Sequence, residues 1–212
     1  MNIIKLSNVS KSFKDICIFE NLDIEFNQGE IHGIIGPNGC GKSVLFKLIC
    51  GFMLPDKGNI YIDGVELNRD NRFPTNFGAI IDRPGYIDDI SGFDNLKHLA
   101  SIQNKIDDQK IEATMNLLGL NPKSETKVKN YSLGMKQKLA ICQAIMEDQS
   151  VLILDEPFNA LDFDSVGKVR HLLKDFKQEG KTILLTSHNK EDIDAVCDKV
   201  YRINNYNIDI MN

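Results

Sequence analysis

Several function classes are argued against by what the chain lacks. It has no long run of basic residues, and its 212 residues carry a formal net charge of −5. No electrostatic grip on nucleic acid or anionic lipid is therefore expected from the chain as a whole. No apolar run approaches the roughly 20 residues that span a bilayer. The opening Met1-Asn2-Ile3-Ile4-Lys5 is too briefly apolar for a secretory signal. The five cysteines, Cys17, Cys40, Cys50, Cys142 and Cys197, are scattered, odd in number and never spaced as CxxC. Neither a disulfide framework nor a zinc site is suggested, and free thiols in a reducing cytosol are expected. Internal repeats and low-complexity tracts are also missing. If the protein works at a membrane, another chain supplies the membrane part.

What is present centres on one stretch, Gly36-Pro37-Asn38-Gly39-Cys40-Gly41-Lys42-Ser43. It fits the phosphate-loop pattern of Gly, four residues, then Gly-Lys-Ser. The apolar run Ile31 to Ile35 leads in as a buried strand, and Val44 to Cys50 leads out with helical periodicity. Glycines let successive N–H groups turn inward as an anion-binding nest, and the helix adds the positive end of its dipole. Lys42 can reach the outer phosphates, and the Ser43 hydroxyl can ligate magnesium. The phosphate-binding candidates thus run from Gly36 to Val44. Cys40 reads either as a small tolerated side chain or as an oxidation-sensitive thiol.

Around this loop the patterns predict an α/β fold. Ile3 to Val9, the alternating Leu22-Asp23-Ile24-Glu25-Phe26, and Asn59 to Asp63 before an Asp-Gly turn read as strands of an antiparallel layer. From Ser91 to about Gln149 the period turns helical. Phe93, Leu96, Leu99 and Ala100 repeat at helix spacing, as do Ile111, Met115, Leu117 and Leu118 before a capping Gly119. Val151 to Leu154 and Thr182 to Leu185 are buried strands separated by a helix over about 165–179, a parallel crossover. Polar groups then fall at strand C-terminal ends, where open α/β sheets bind ligands. Asp155 is the expected magnesium contact after its strand. Two adjacent carboxylates at a buried strand end repel each other unless a cation or a task accounts for them. Glu156 is the expected base that orients and deprotonates water.

With these residues in place the chain resembles the nucleotide-binding subunit of ABC transporters over nearly its whole length. Tyr131-Ser132-Leu133-Gly134-Met135-Lys136-Gln137-Lys138 is similar to the ABC signature before a helix. Asn159-Ala160-Leu161-Asp162 resembles the D-loop, His188 the switch histidine, and Phe13 the aromatic that stacks on adenine. The resemblance implies a phosphate-loop NTPase core with a mostly parallel sheet, an N-terminal antiparallel β layer and an inserted helical lobe. It implies one domain over 1–212, with core and β layer at 1–82 and 150–212 and the helical lobe at about 83–149. It implies ATP and Mg2+ as cofactors. It also implies a head-to-tail pair of such subunits, homodimer or heterodimer, in which Ser132 and Gly134 grip the γ-phosphate bound on the other copy, and Asp162 belongs to the same interface. Glu156, His188 and Asp82 are the catalytic candidates, and Ser43, Asp155 and Asp82 the metal ligands.

Two departures narrow the branch. Asp82, followed by Arg83-Pro84-Gly85-Tyr86, stands where glutamine is usual, and Leu133 stands where the signature usually has glycine. Both are similar to the bacitracin and lantibiotic exporter branch. The short stretch after Tyr201 to Ile210 predicts no regulation by a C-terminal extension. The implied function is the ATPase of a separate integral membrane permease, cytoplasmic and peripheral on the inner face of the membrane, exporting peptide antibiotic or similar cargo. Alternatives are a soluble ABC ATPase of cluster-assembly type, or a non-hydrolysing half of a heterodimer. A permease-docking groove is expected near Asp82 to Leu96, where Tyr86 and Phe93 read either as anchors or as core aromatics.

Overall fold

The computed structural model describes residues 2–82, 85–204 and 206–211. Met1 of the opening stretch, and Arg83 and Pro84 after Asp82, lie outside the described residues. The chain opens with a long hairpin, β1 (Asn2–Phe13) against β2 (Ile16–Asn27). Ile4, Leu6, Phe19, Leu22, Ile24 and Phe26 are buried, so one face of the hairpin is dry and the other wet. β3 (Ile31–Ile35), α1 (Lys42–Ile49), β4 (Lys57–Ile62), β5 (Val65–Glu66) and β6 (Phe77–Ile80) follow. The Asp63-Gly64 turn, with φ of +49° and +77°, joins β4 to the short strand β5, which the sequence patterns did not predict.

Three helices come next: α2 (Gly92–Gln103), α3 (Asp108–Leu117) and α4 (Leu133–Ile145). Each starts on a side-chain cap, Ser91, Asp107 and Ser132, accepting the N–H of Asp94, Lys110 and Met135. α3 ends as predicted at Gly119, whose N–H bonds Asn116 O while Leu120 N–H reaches back to Met115 O. That is a Schellman closure with a left-handed glycine at φ +71°. One residue departs from expectation: Leu117 shares the apolar sequence pattern but is 54% exposed. It lies at the last turn of α3, where the buried face is already filled by Ile111 and Met115.

The chain then returns to the sheet with β7 (Val151–Leu154), α5 (Phe163–Gln178), β8 (Thr182–Thr186), α6 (Lys190–Val196), β9 (Lys199–Asn204) and β10 (Asn207–Met211). The antiparallel sheet has the order β2-β1-β4-β5, and the larger sheet β10-β9-β3-β8-β7-β6. All pairs of the larger sheet are parallel except β10 with β9. β7 and β8 are buried at every residue, which accounts for their unbroken apolar runs. Their alternate side chains serve two cores. Leu152, Leu154, Ile183 and Leu185 pack with the helices α2 to α5, whereas Val151, Ile153 and Leu184 pack with α1 and the antiparallel layer. The fold is thus α/β with the antiparallel layer and the helical insertion the sequence predicts. It places the segments following β3, β7 and β8 side by side, because these strands are parallel neighbours.

Candidate active site

The segment after β3 closes into the phosphate loop. Cys40 N–H bonds Pro37 O, and Leu45 N–H bonds Gly41 O to start α1. Gly41 has φ of +111°, and a Cβ there would stand 2.7 Å from Ile18 Cγ2 of β2. Only glycine lets the loop lie this close to the hairpin at that backbone angle. No side chain caps α1, and its first turn carries no acidic residue. Its leading N–H groups therefore remain free for an anion, at the positive end of the helix dipole. Lys42 Nζ is folded back onto Gly36 O at 2.8 Å and Pro37 O at 3.2 Å. Those carbonyls hold the ammonium at the cradle without neutralising it.

Behind the loop, three strand ends meet. Ser43 Oγ donates to Asp155 Oδ2 at 2.6 Å, and Thr186 Oγ1 donates to Asp155 Oδ1 at 2.7 Å. Thr186 Oγ1 also accepts the Glu156 N–H at 2.8 Å. The end of β8 thereby holds both carboxylate-bearing residues that follow β7. Glu156 sits at φ +53°. Gln137 of α4 clamps its backbone by donating to the carbonyls of Glu156 and Pro157, both at 3.1 Å. The Glu156 carboxylate faces His188. Oε2 accepts the His188 N–H at 3.2 Å, and Oε1 lies 3.2 Å from His188 Nε2 without the alignment of a hydrogen bond. Oε1 is buried with no hydrogen-bond partner. Burial pushes the Glu156 carboxyl above its ordinary pKa, against the opposing pull of His188, with the Asp155 charge adding to the rise. A half-buried carboxylate with a raised pKa is equipped to take a proton.

A cleft of about 360 Å³ gathers these groups: loop residues Asn38, Gly39 and Gly41 to Val44, then Asp82, Asp155, Glu156, Asn159 and His188, with Cys40 outside the lining. Asp82, at φ +57°, lines it while pairing through Oδ2 with Lys47 Nζ at 2.5 Å. Phe13 lies outside the cleft lining, 40% exposed at the end of β1, with the Lys11 ammonium 5.5 Å from its ring centre. Ser132 and Gly134 also lie outside it, at the start of α4, where a Cβ on Gly134 would come 2.8 Å from Ala160 O. Asp162 caps α5, its carboxylate taken by the N–H and hydroxyl of Ser165. Tyr86 and Phe93 pack against the helical core, and Tyr86 donates to Lys136 O at 2.8 Å. Both are partly buried.

Thr186, Gln137, Asn159 and Lys47 were not assigned roles at this site from sequence. Thr186 carried a usable signal, a hydroxyl ending a buried strand just before His188. Lys47 carried none, because its link to Asp82 spans two segments with no shared pattern.

The donor set suits a nucleotide with magnesium. Ser43 Oγ and Asp155 Oδ2 are hard oxygens at the mouth of an anion cradle. Among the described residues no group of three or more His, Cys, Asp or Glu could hold an ion. A cation here would complete its shell with phosphate oxygens and water, as magnesium does.

A family model described as ABC transporter matches residues 19–159. The chain is 38% identical over 202 residues to the uncharacterised ABC transporter ATP-binding protein YybJ of Bacillus subtilis (strain 168), covering 95% of this chain and 93% of that one. It is 33% identical to the lantibiotic transport ATP-binding protein SrtF of Streptococcus pyogenes, covering 92% and 84%. Two further ABC transporter ATP-binding relatives from Bacillus subtilis are longer, and the chain spans 66% and 65% of them. The dimeric structure of MJ0796, a bacterial ABC transporter cassette, superposes with a TM-score of 0.88 at 23% identity, covering 97% of this chain and 96% of that one.

Proposed function

The chain belongs to the ABC transporter family of ATP-binding cassettes, and we propose that it is the subunit whose ATP hydrolysis drives a separate membrane permease. The observation that carries this reading is the Ser43–Asp155 oxygen pair under the loop, with Glu156 and His188 lining the same cleft. The N–H groups of the loop and of the first turn of α1 bind the phosphates, and Lys42 offsets charge on the outer ones. Ser43 and Asp155 would hold magnesium, which when bound would supply charge neutralisation at the phosphates. Asp82, at the rim of the cleft and paired with Lys47, would be placed to meet the outer shell of that ion. Glu156 orients the attacking water and takes its proton as the bond to the γ-phosphorus forms, leaving ADP and phosphate. His188 keeps the Glu156 carboxylate aimed. Phe13 lies on the hairpin beside the loop and is the surface against which a purine base stacks.

Residues 1–212 act in this reading as one ATPase unit that works as a pair. Leu133, 76% exposed, and Phe163, 91% exposed, leave apolar surface bare next to Ser132, Gly134 and Asp162. A second nucleotide-binding subunit covers that surface and receives Ser132 and Gly134 over its own bound phosphates. Among the described residues no helix is long and apolar enough to cross a membrane. In this reading a permease chain supplies the membrane path, with this subunit on its cytoplasmic side. Export of a peptide antibiotic or similar cargo is supported by the likeness to SrtF, described as a lantibiotic transport protein.

The test is Glu156→Gln. Loss of one positioned base is expected to slow turnover by about 10²- to 10⁴-fold, with ATP binding retained. Undiminished hydrolysis would overturn the role of Glu156. Tagged protein drawn from detergent-solubilised membranes should bring an integral membrane protein with it, and recovery of none would overturn the permease reading.

A further inference from the structure

Behind His188 lies an ion pair that no step above uses. Asp192 of α6 is 4% exposed. Its Oδ1 accepts Arg170 of α5 through both Nε, at 2.9 Å, and a terminal nitrogen of the guanidinium. Its Oδ2 accepts the Ser187 hydroxyl at 2.9 Å. The Ser187 oxygen in turn accepts the Asn189 N–H at 3.1 Å. Asn189 is itself fixed, its side chain capping α6 through the Glu191 N–H at 2.9 Å. Ser187 and Asn189 are the two neighbours of His188. The ion pair therefore grips the loop on both sides of His188, which meets the Glu156 carboxylate.

We infer that Asp192, Arg170 and Ser187 are positioning residues for hydrolysis, tying the 187–189 loop to α5 and α6 so that His188 meets Glu156. The inference rests on the Glu156–His188 reading above. The second carboxylate oxygen is bonded not to the guanidinium but to the Ser187 hydroxyl, so the pair is tied to the loop as well as to α5. Packing is also the part of its role that apolar side chains can replace, because a buried ion pair exchanged for hydrophobic residues is commonly neutral or stabilising. Holding Ser187 is the part they cannot replace. The phosphate loop, Ser43 and Asp155 are not held by this grip, so ATP binding does not depend on it.

Two variants separate the roles. Ser187→Ala keeps the ion pair and removes only the tether. The expected result is a fall in kcat on the order of tenfold to a hundredfold, the scale of a small misplacement at a reacting centre, with KM for ATP unchanged. Arg170→Met combined with Asp192→Leu should keep wild-type thermal stability and lose kcat to the same extent. Wild-type kcat in either variant, or a rise in KM with kcat intact, would overturn the inference. Ser187→Ala decides the matter alone if the double variant is unstable. Glu156→Gln is assayed in parallel. If it still turns over, the reading of the base has failed. If it is inactive while Ser187→Ala is normal, only the tether has failed.

Discussion

At the scale of single residues, burial forces a choice of charge state, and His32 shows it away from the cleft. It sits on β3 with no exposed surface, edge-on to Phe26 at 5.2 Å and 5.7 Å from Tyr201. Its Nε2–H donates to Asn27 O at 3.0 Å, and its Nδ1 accepts the Tyr201 hydroxyl at 3.4 Å. Both nitrogens are satisfied by the neutral ring. Burial pushes its pKa below the ordinary 6.5, against smaller upward pulls from Asn27, Glu30 and Asp198, while Lys199 adds to the fall. The unfolded chain then takes up a proton at a pH where the folded chain does not. His32 therefore supports folding above pH 6.5, and that contribution is lost as pH falls below it. Thermal melts from pH 7.5 to 5.5 should show Tm falling with acidification, with a shallower slope in His32→Phe. Parallel slopes would show that the ring titrates as it does in the unfolded chain. His32 drew no notice in the sequence, where one histidine in an apolar strand has no distinguishing pattern. Glu156 did, because two adjacent carboxylates at a strand end are costly without a reason.

At the scale of elements, period and punctuation made most of the architecture legible. β7 and β8 were unmistakable because both faces are buried, and α3 was bounded by its glycine. β5 and β10 were not, because each is short, partly exposed and held by a partner strand rather than by its own pattern. The contact between β6 and α4 was equally invisible. A Cβ on Gly78 would stand 1.8 Å from Ala144 O, a backbone atom that cannot move without moving the helix. That helix carries Gln137, which clamps the backbone of Glu156. Gly78→Ala should therefore destabilise the fold by about 3 kcal/mol, the upper part of the usual overpacking range. It should also slow hydrolysis by displacing α4 against the segment after β7. Chemical denaturation read alongside ATPase rate checks both, and a variant as stable as wild type would mean that β6 and α4 separate freely.

At the scale of the whole molecule, the site is divided. The loop, the Ser43–Asp155 pair and Glu156 share one cleft. Ser132 and Gly134, at the start of α4, are not part of its lining, and Leu133 and Phe163 are exposed. This separation was implied in the sequence by some ninety residues between loop and signature, but only as part of a family resemblance, since spacing along a chain says nothing about which copy a residue serves. The geometry sharpens it into a mass-action statement. If hydrolysis needs the signature of a second copy, the active species is a pair. At concentrations well below the dissociation constant of that pair, doubling the protein raises its population about fourfold. Magnesium-dependent ATPase activity of the purified chain should then rise faster than linearly with protein and become linear only once pairing saturates. Strict proportionality from the lowest concentration, with appreciable turnover, would mean that one copy completes its own site and would remove the role given to Ser132 and Gly134. Negligible turnover throughout would point to a different partner chain, and adding the membrane fraction should then restore it.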